Sequence, residues 1–121
     1  MIQSKATINY SVSRAEATTS QFKQFNDFVI SELSSLYGGL RYAKQEGVWS
    51  SEGFEFGKSK YSDLTYESGI LIEICSIESA ELMLQKIKTT LNLGCETQEV
   101  NIDWVNVEFS AVDCQHFQIK K

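Results

Sequence analysis

The stretch Lys5-Ala-Thr-Ile-Asn-Tyr-Ser-Val-Ser13 alternates apolar and polar residues without a break. Ala6, Ile8, Tyr10 and Val12 fall on one side, and Thr7, Asn9 and Ser11 on the other. A period of two predicts a strand that buries one face and leaves the other open. A second extended stretch, Gly69-Ile-Leu-Ile-Glu-Ile-Cys75, is dense in β-branched residues and reads as a central strand.

Between these strands lies an amphipathic helix. Thr18 reads as its N-cap, with Gln21 completing a capping box three residues on. Phe22, Phe25, Val29, Leu33 and Leu36 follow at helical spacing, Phe28 widens the stripe, and Gly38-Gly39 offers the left-handed C-cap that a β-carbon would penalise. Leu40 to Trp49 reads as the next strand. The segment 50–68 reads as a long hairpin connection, extended in part at its base. Ser76 reads as the cap of a second helix carrying Ala80, Met83, Leu84, Ile87 and Leu91 and stopping at Gly94. From Glu99 to Val112 the pattern is extended again, but its parity slips, and a bulge or turn near Asp103-Trp104 reconciles the two halves. Residues 113–121 read as a tail.

The resulting order, β-α-β-β-α-β, predicts an α+β fold: a ferredoxin-like sandwich with two helices on one face of a four-stranded antiparallel sheet. A single domain over residues 1–121 is expected, because the chain has 121 residues and is 42% hydrophobic, the usual size and composition for one core. By parity, the face away from the helices carries Thr7, Asn9, Ser11, Leu71, Glu73, Cys75, Asn106, Glu108 and Ser110. It is mostly polar.

Charge narrows the function classes. With 16 acidic and 11 basic residues the formal net charge is −5, and the basic residues form no stripe, so direct nucleic-acid binding is disfavoured. An acidic surface suits either plain solubility or a partner with a basic groove. No apolar run approaches the roughly 20 residues a membrane helix needs, and the start of the chain does not read as a signal peptide. Three cysteines without a Cys-x-x-Cys pair fit reduced thiols, so a cytoplasmic location is expected.

Chemistry-bearing residues are sparse. His116 is the single histidine, and with Cys114 it makes a Cys-x-His pair in the tail, short of the three or four ligands a metal needs. Neither a metal nor a cofactor is expected, and no catalytic residue is assigned. Glu73 stands in an apolar strand. It reads either as an open-face acid or as a general base with a pKa raised by partial burial, with Glu108 as a neighbour if the register brings them together. Gly38-Gly39 follows a helix and so cannot cradle phosphate at a helix N-terminus. Trp49, Phe54, Phe56, Tyr61 and Tyr66 concentrate aromatics in or beside the hairpin, as interface anchors or as a satellite core. Arg41, Tyr42 and Glu67 sit near its base and suggest a small pocket beside Trp49. The three cysteines read as small buried hydrophobes, and of them only Cys75, just ahead of a helix, has any case for a reactive thiolate.

Tyr37-Gly38-Gly39-Leu40, Gly47-Val48-Trp49, Glu67-Ser68 and Thr97-Gln98-Glu99-Val100 together resemble a bacterial family of small α+β domains of unknown function. That family has a helix, a Gly-Leu…Gly-x-Trp strand and a glutamate-led third strand. The resemblance implies a fold and no chemistry, and it marks Gly39, Leu40, Gly47, Trp49 and Glu67 as positions to probe. Its members often carry export signals, so their location does not transfer.

The expected function is a non-enzymatic binding domain that engages a protein partner or small ligand through Arg41, Tyr42, Trp49, Phe54, Phe56, Tyr66 and Glu67. One version is an acidic inhibitor of a nucleic-acid enzyme. The alternative is a small ferredoxin-like enzyme or ligand-binding dimer, with Glu73 or Glu67 as acid/base and Tyr66 or Trp49 orienting substrate. A monomer or a homodimer is compatible with either reading.

Overall fold

A computed structural model describes residues 2–53 and 55–120. Along the chain it forms β1 (Ile2–Ser13), α1 (Arg14–Ala17), α2 (Ser20–Tyr37), β2 (Arg41–Ser50), β3 (Leu64–Ser76), α3 (Ala80–Gln98) and β4 (Val105–Asp113). The four strands make one sheet in the order β2-β3-β1-β4, and every neighbouring pair is antiparallel. Each long helix therefore joins two strands that have a third inserted between them: β3 lies between β1 and β2, and β1 lies between β3 and β4. The α+β class and the four-stranded sheet are as expected, with the single turn of α1 as an addition to the plain alternation. No described helix is long and apolar enough to cross a membrane.

Register explains the core. Ala6, Ile8 and Tyr10 pair with Ile74, Ile72 and Ile70 on one side and with Phe109, Val107 and Val105 on the other. Phe22, Phe25, Val29 and Leu33 of α2 and Met83, Ile87 and Leu91 of α3 pack on these rows in one buried cluster. Both long helices thus cover the same sheet face. At the centre, the Tyr10 ring stands edge-on to Phe25, with centroids 5.4 Å apart at 84°, an arrangement that aligns ring edge with ring face. The Tyr10 hydroxyl donates to Asn26 Oδ1 at 2.7 Å, which satisfies the one polar atom this ring takes inside.

Several local expectations change. Thr19, not Thr18, caps α2: its Oγ1 accepts from the Phe22 amide at 3.2 Å. Thr18 ends α1 instead, and its hydroxyl donates to the Ala15 carbonyl. The chain spends Ser13 to Thr18 on a helical turn that has no buried residue, so no apolar stripe marked it. Gly38 does close α2 in the left-handed region, with φ 79°.

In α3 the cap is Ser79, whose Oγ accepts from Leu82, whereas Ser76 takes the amide of Glu78 in the turn before it. The helix runs through Gly94 to Gln98 and closes at Glu99, with φ 55°. Gly94 is there for proximity: a β-carbon would sit 3.0 Å from Phe25 and 3.1 Å from Phe28, so its absence lets α2 and α3 approach. The slip before β4 is not a bulge. Residues 99–104 are not strand, Val100 and Ile102 tuck against the core from a loop, and pairing begins at Val105.

The capping assignment is directly testable. Thr19→Ala should cost about 1 kcal/mol of unfolding free energy, the usual value of a lost N-cap. Thr18→Ala should cost clearly less, and urea denaturation of both variants measures the difference.

Candidate functional site

The uncovered sheet face is built by the alternate residues of all four strands, and each member of the predicted polar set falls on it. Two rows cross its middle. Arg41, Glu73, Thr7 and Glu108 stand side by side in one, and Ala43, Leu71, Asn9 and Asn106 in the next. Glu73 and Glu108 flank Thr7 on opposite sides and are not neighbours: two strand spacings place their backbones roughly 10 Å apart.

At one end of this face, Lys5, Tyr37, Arg41, Glu73, Cys75 and Cys114 line an open pocket of about 500 Å³. Lys5 Nζ meets Glu73 Oε2 at 2.5 Å. The hydrogen bond and charge of Lys5, with a smaller contribution from Arg41, hold the Glu73 carboxyl below the usual carboxylate range. The reading of Glu73 as a base with a raised pKa is therefore overturned: an acid paired with a lysine stays ionised. Tyr37 borders the same pocket, with its phenol pushed up to about 12 by burial and then by Glu78.

At the other end, Ser11, Val12, Ser13, Glu16, Glu67, Asn101, Asp103 and Trp104 enclose about 270 Å³. Three carboxylates line this cleft, and no cation does among the described residues. The end of β1, the turn of α1, the first part of β3 and the loop before β4 converge here. Ser11 Oγ donates to Glu67 Oε1 at 3.1 Å, which fixes one wall. Ser13 Oγ accepts from the Glu16 amide and so holds the turn of α1 that brings Glu16 in. Trp104 stands over the cleft with 87% of its surface exposed. One row along, Gln45 faces Gly69 and Ser11 across the sheet, and its Oε1 is a buried acceptor without a hydrogen-bond partner. Such an atom normally finds one.

The residues singled out from sequence are not assembled into one pocket. Arg41 pairs with Glu73 and Glu67 with Gly47, six residues apart along β3, or roughly 20 Å. The pocket expected from Arg41, Tyr42 and Glu67 beside Trp49 does not form. Tyr42 lies in the row of Ile72, on the helix-side face at the outer strand, and is exposed. Tyr66 carries the Arg14 guanidinium 4.7 Å above its ring. Trp49 shares the open face with Gly47, where a β-carbon would come within 2.9 Å of its Nε1. Phe56 stands 92% exposed at the hairpin, so it closes no satellite core. Phe54 lies outside the described residues. Tyr61 and Lys58 brace the tip through the Glu55 carbonyl and the carboxylates of Glu52 and Glu55. His116 is exposed in the segment after β4, and no group of three metal-ligating side chains gathers among the described residues.

Sequence reasoning missed Asn101, Asp103, Trp104 and Glu16 as members of a site. The parity slip at Asp103-Trp104 was the available signal, since a strand interrupted there has to place those side chains elsewhere.

Removing Lys5 tests the electrostatics. In Lys5→Met, the carbon-13 NMR titration midpoint of Glu73 should rise towards its ordinary value of 4.5. Because the folded-state pKa is depressed, the stabilisation from the pair is complete above that value and is lost as pH falls through the folded midpoint. The stability gap between wild type and Lys5→Met should accordingly close in acid.

No family model matches the chain, and no curated protein matches it by sequence. Among solved structures it is similar to a phage SAM lyase in its apo state, with TM-score 0.57 and 15% identity over 97% of this chain and 94% of that one. It is likewise similar to a phage SAM lyase in complex with S-methyl-5′-thioadenosine, with TM-score 0.55 and 16% identity over 96% of this chain and 93% of that one. At these identities the likeness is one of fold, and it extends along nearly the whole length of each chain.

Proposed function

We propose that this chain is a small-molecule-binding domain whose ligand is a cationic adenosyl compound of the S-adenosylmethionine class, held in the cleft of Glu16, Glu67, Asp103 and Trp104. The observation that carries this reading is that three carboxylates and an exposed indole line one cleft, with no lining cation among the described residues. A sulfonium nucleoside offers complementary chemistry: a fixed positive charge for the carboxylates and an adenine ring to stack on an aromatic face. The likeness to structures titled SAM lyase, one of them with methylthioadenosine bound, supports the ligand class. The cleft is small, but its neighbour is an open polar sheet face, so an adenosyl ligand can extend along β1 towards Asn9 and Glu108.

Charge makes the reading testable. S-adenosylmethionine carries the sulfonium and methylthioadenosine is neutral, so only the first should bind with strong salt dependence. By titration calorimetry, Glu67→Gln should weaken S-adenosylmethionine about tenfold or more while changing methylthioadenosine little, and Trp104→Ala should weaken both. Absence of binding by either compound at millimolar concentration would remove the proposal. Chromatography of the same mixtures shows whether methylthioadenosine is released, which distinguishes turnover from binding alone.

A second reading keeps the chain as a protein-interaction domain, and the exposure of Phe56 and Trp49 on the hairpin favours it. An acidic inhibitor of a nucleic-acid enzyme is one form of this reading. Phe56→Ser should then abolish partner capture in a pull-down and leave the circular dichroism spectrum unchanged.

A further inference from the structure

The pocket at the Lys5 end brings together two thiols from segments far apart in sequence. Cys75 lies one residue before the end of β3 and is exposed, whereas Cys114 directly follows β4 and is half-buried. Both line the same pocket, beside Lys5, Arg41 and Glu73. In the sheet, Cys75 pairs with Lys5 and Lys5 with Ser110, so one strand separates β3 from β4 at this level. The chain leaving β4 therefore has to cross the end of β1 to bring Cys114 to Cys75. The two thiols are unbridged, and Cys114 stands close enough to Cys75 to raise its thiol. Cys95 is placed differently: it lies in α3 and packs against the core, and burial raises its thiol.

We propose that Cys75 and Cys114 form a dithiol modification site, which a low-molecular-weight disulfide such as oxidised glutathione converts to an intramolecular disulfide that pins the segment after β4 across this pocket. The exposed Cys75, as thiolate, attacks one sulfur of oxidised glutathione. The glutathione S–S bond breaks, a mixed disulfide forms, and the first glutathione leaves as thiolate and takes up a proton. Cys114, deprotonated in turn, attacks the Cys75 sulfur and expels the second glutathione. Two protein thiols are oxidised and one glutathione disulfide is reduced to two thiols. Burial, and then the neighbouring Cys114, raise the Cys75 thiol above its usual range, against the opposing charges of Lys5 and Arg41. The exchange is accordingly slow at neutral pH and quickens as pH rises. Once formed, the bridge closes a loop of roughly 40 residues and restricts the unfolded chain.

The experiment is incubation of the full chain with oxidised glutathione at mildly alkaline pH, followed by intact mass and non-reducing peptide mapping. The expected product has lost two hydrogens, carries no glutathione, and links the peptides of Cys75 and Cys114. Its melting temperature should rise by on the order of 5 °C and fall back on reduction. Cys95→Ser should behave as wild type, while Cys75→Ser and Cys114→Ser should give no bridge. A persistent glutathione adduct, a bridge through Cys95, or an unmodified chain under conditions that oxidise a control dithiol would each overturn the proposal.

Discussion

Burial of Tyr10 against Phe25 organises this molecule. Tyr10 lies in β1, which is itself an inner strand, and its ring stands edge-on to both Phe22 and Phe25 of α2. That contact fixes which side of β1 faces the helices. Because side chains alternate along a strand, it also fixes which residues of β1 are presented on the other side. Thr7, Asn9 and Ser11 stand on the open face because Ile8 and Tyr10 are turned to the helices. A one-residue slip of β1 would bury the polar set and expose the core, so the open face and the hydrophobic core are one constraint seen from two sides.

The two ends of the open face differ in electrostatic character. At one end Lys5 and Arg41 neutralise Glu73. At the other, Glu16, Glu67 and Asp103 line one cleft whose described lining residues include no cation. A face with one neutralised end and one unneutralised end gives an elongated cationic ligand a preferred orientation. The carboxylates that suit acid-base chemistry by type are thus separated by environment: Glu73 is a fixed anion, and Glu67 is oriented by a serine hydroxyl.

Much of this was legible in the sequence because period and capping are local. The alternation of Lys5 to Ser13 gave β1, its buried side and, by parity, the residues it gives to the open face. The stripe from Phe22 to Leu33 and the glycine after Tyr37 gave α2. What escaped was set by tertiary contact. Gly94 looks like a terminator in sequence and is a contact point between helices in space. The Thr18-Thr19 pair is ambiguous by type and is resolved only by where α1 ends. The cleft draws on four separated segments, so no short motif encodes it, and Asp103-Trp104 registered only as a break in alternation. The Arg41–Tyr42–Glu67 grouping failed because proximity in a hairpin's base was taken for proximity in space, whereas the long β2–β3 ladder carries those residues roughly 20 Å apart.

The most direct test of the central claim is backbone amide and indole NMR with added S-adenosylmethionine. Shifts confined to residues 11–16, 45, 67 and 101–104, including the Trp104 indole N–H, are the result predicted for a ligand in the acidic cleft. Shifts concentrated in the hairpin around residues 51–63, or none at saturating ligand, would contradict it.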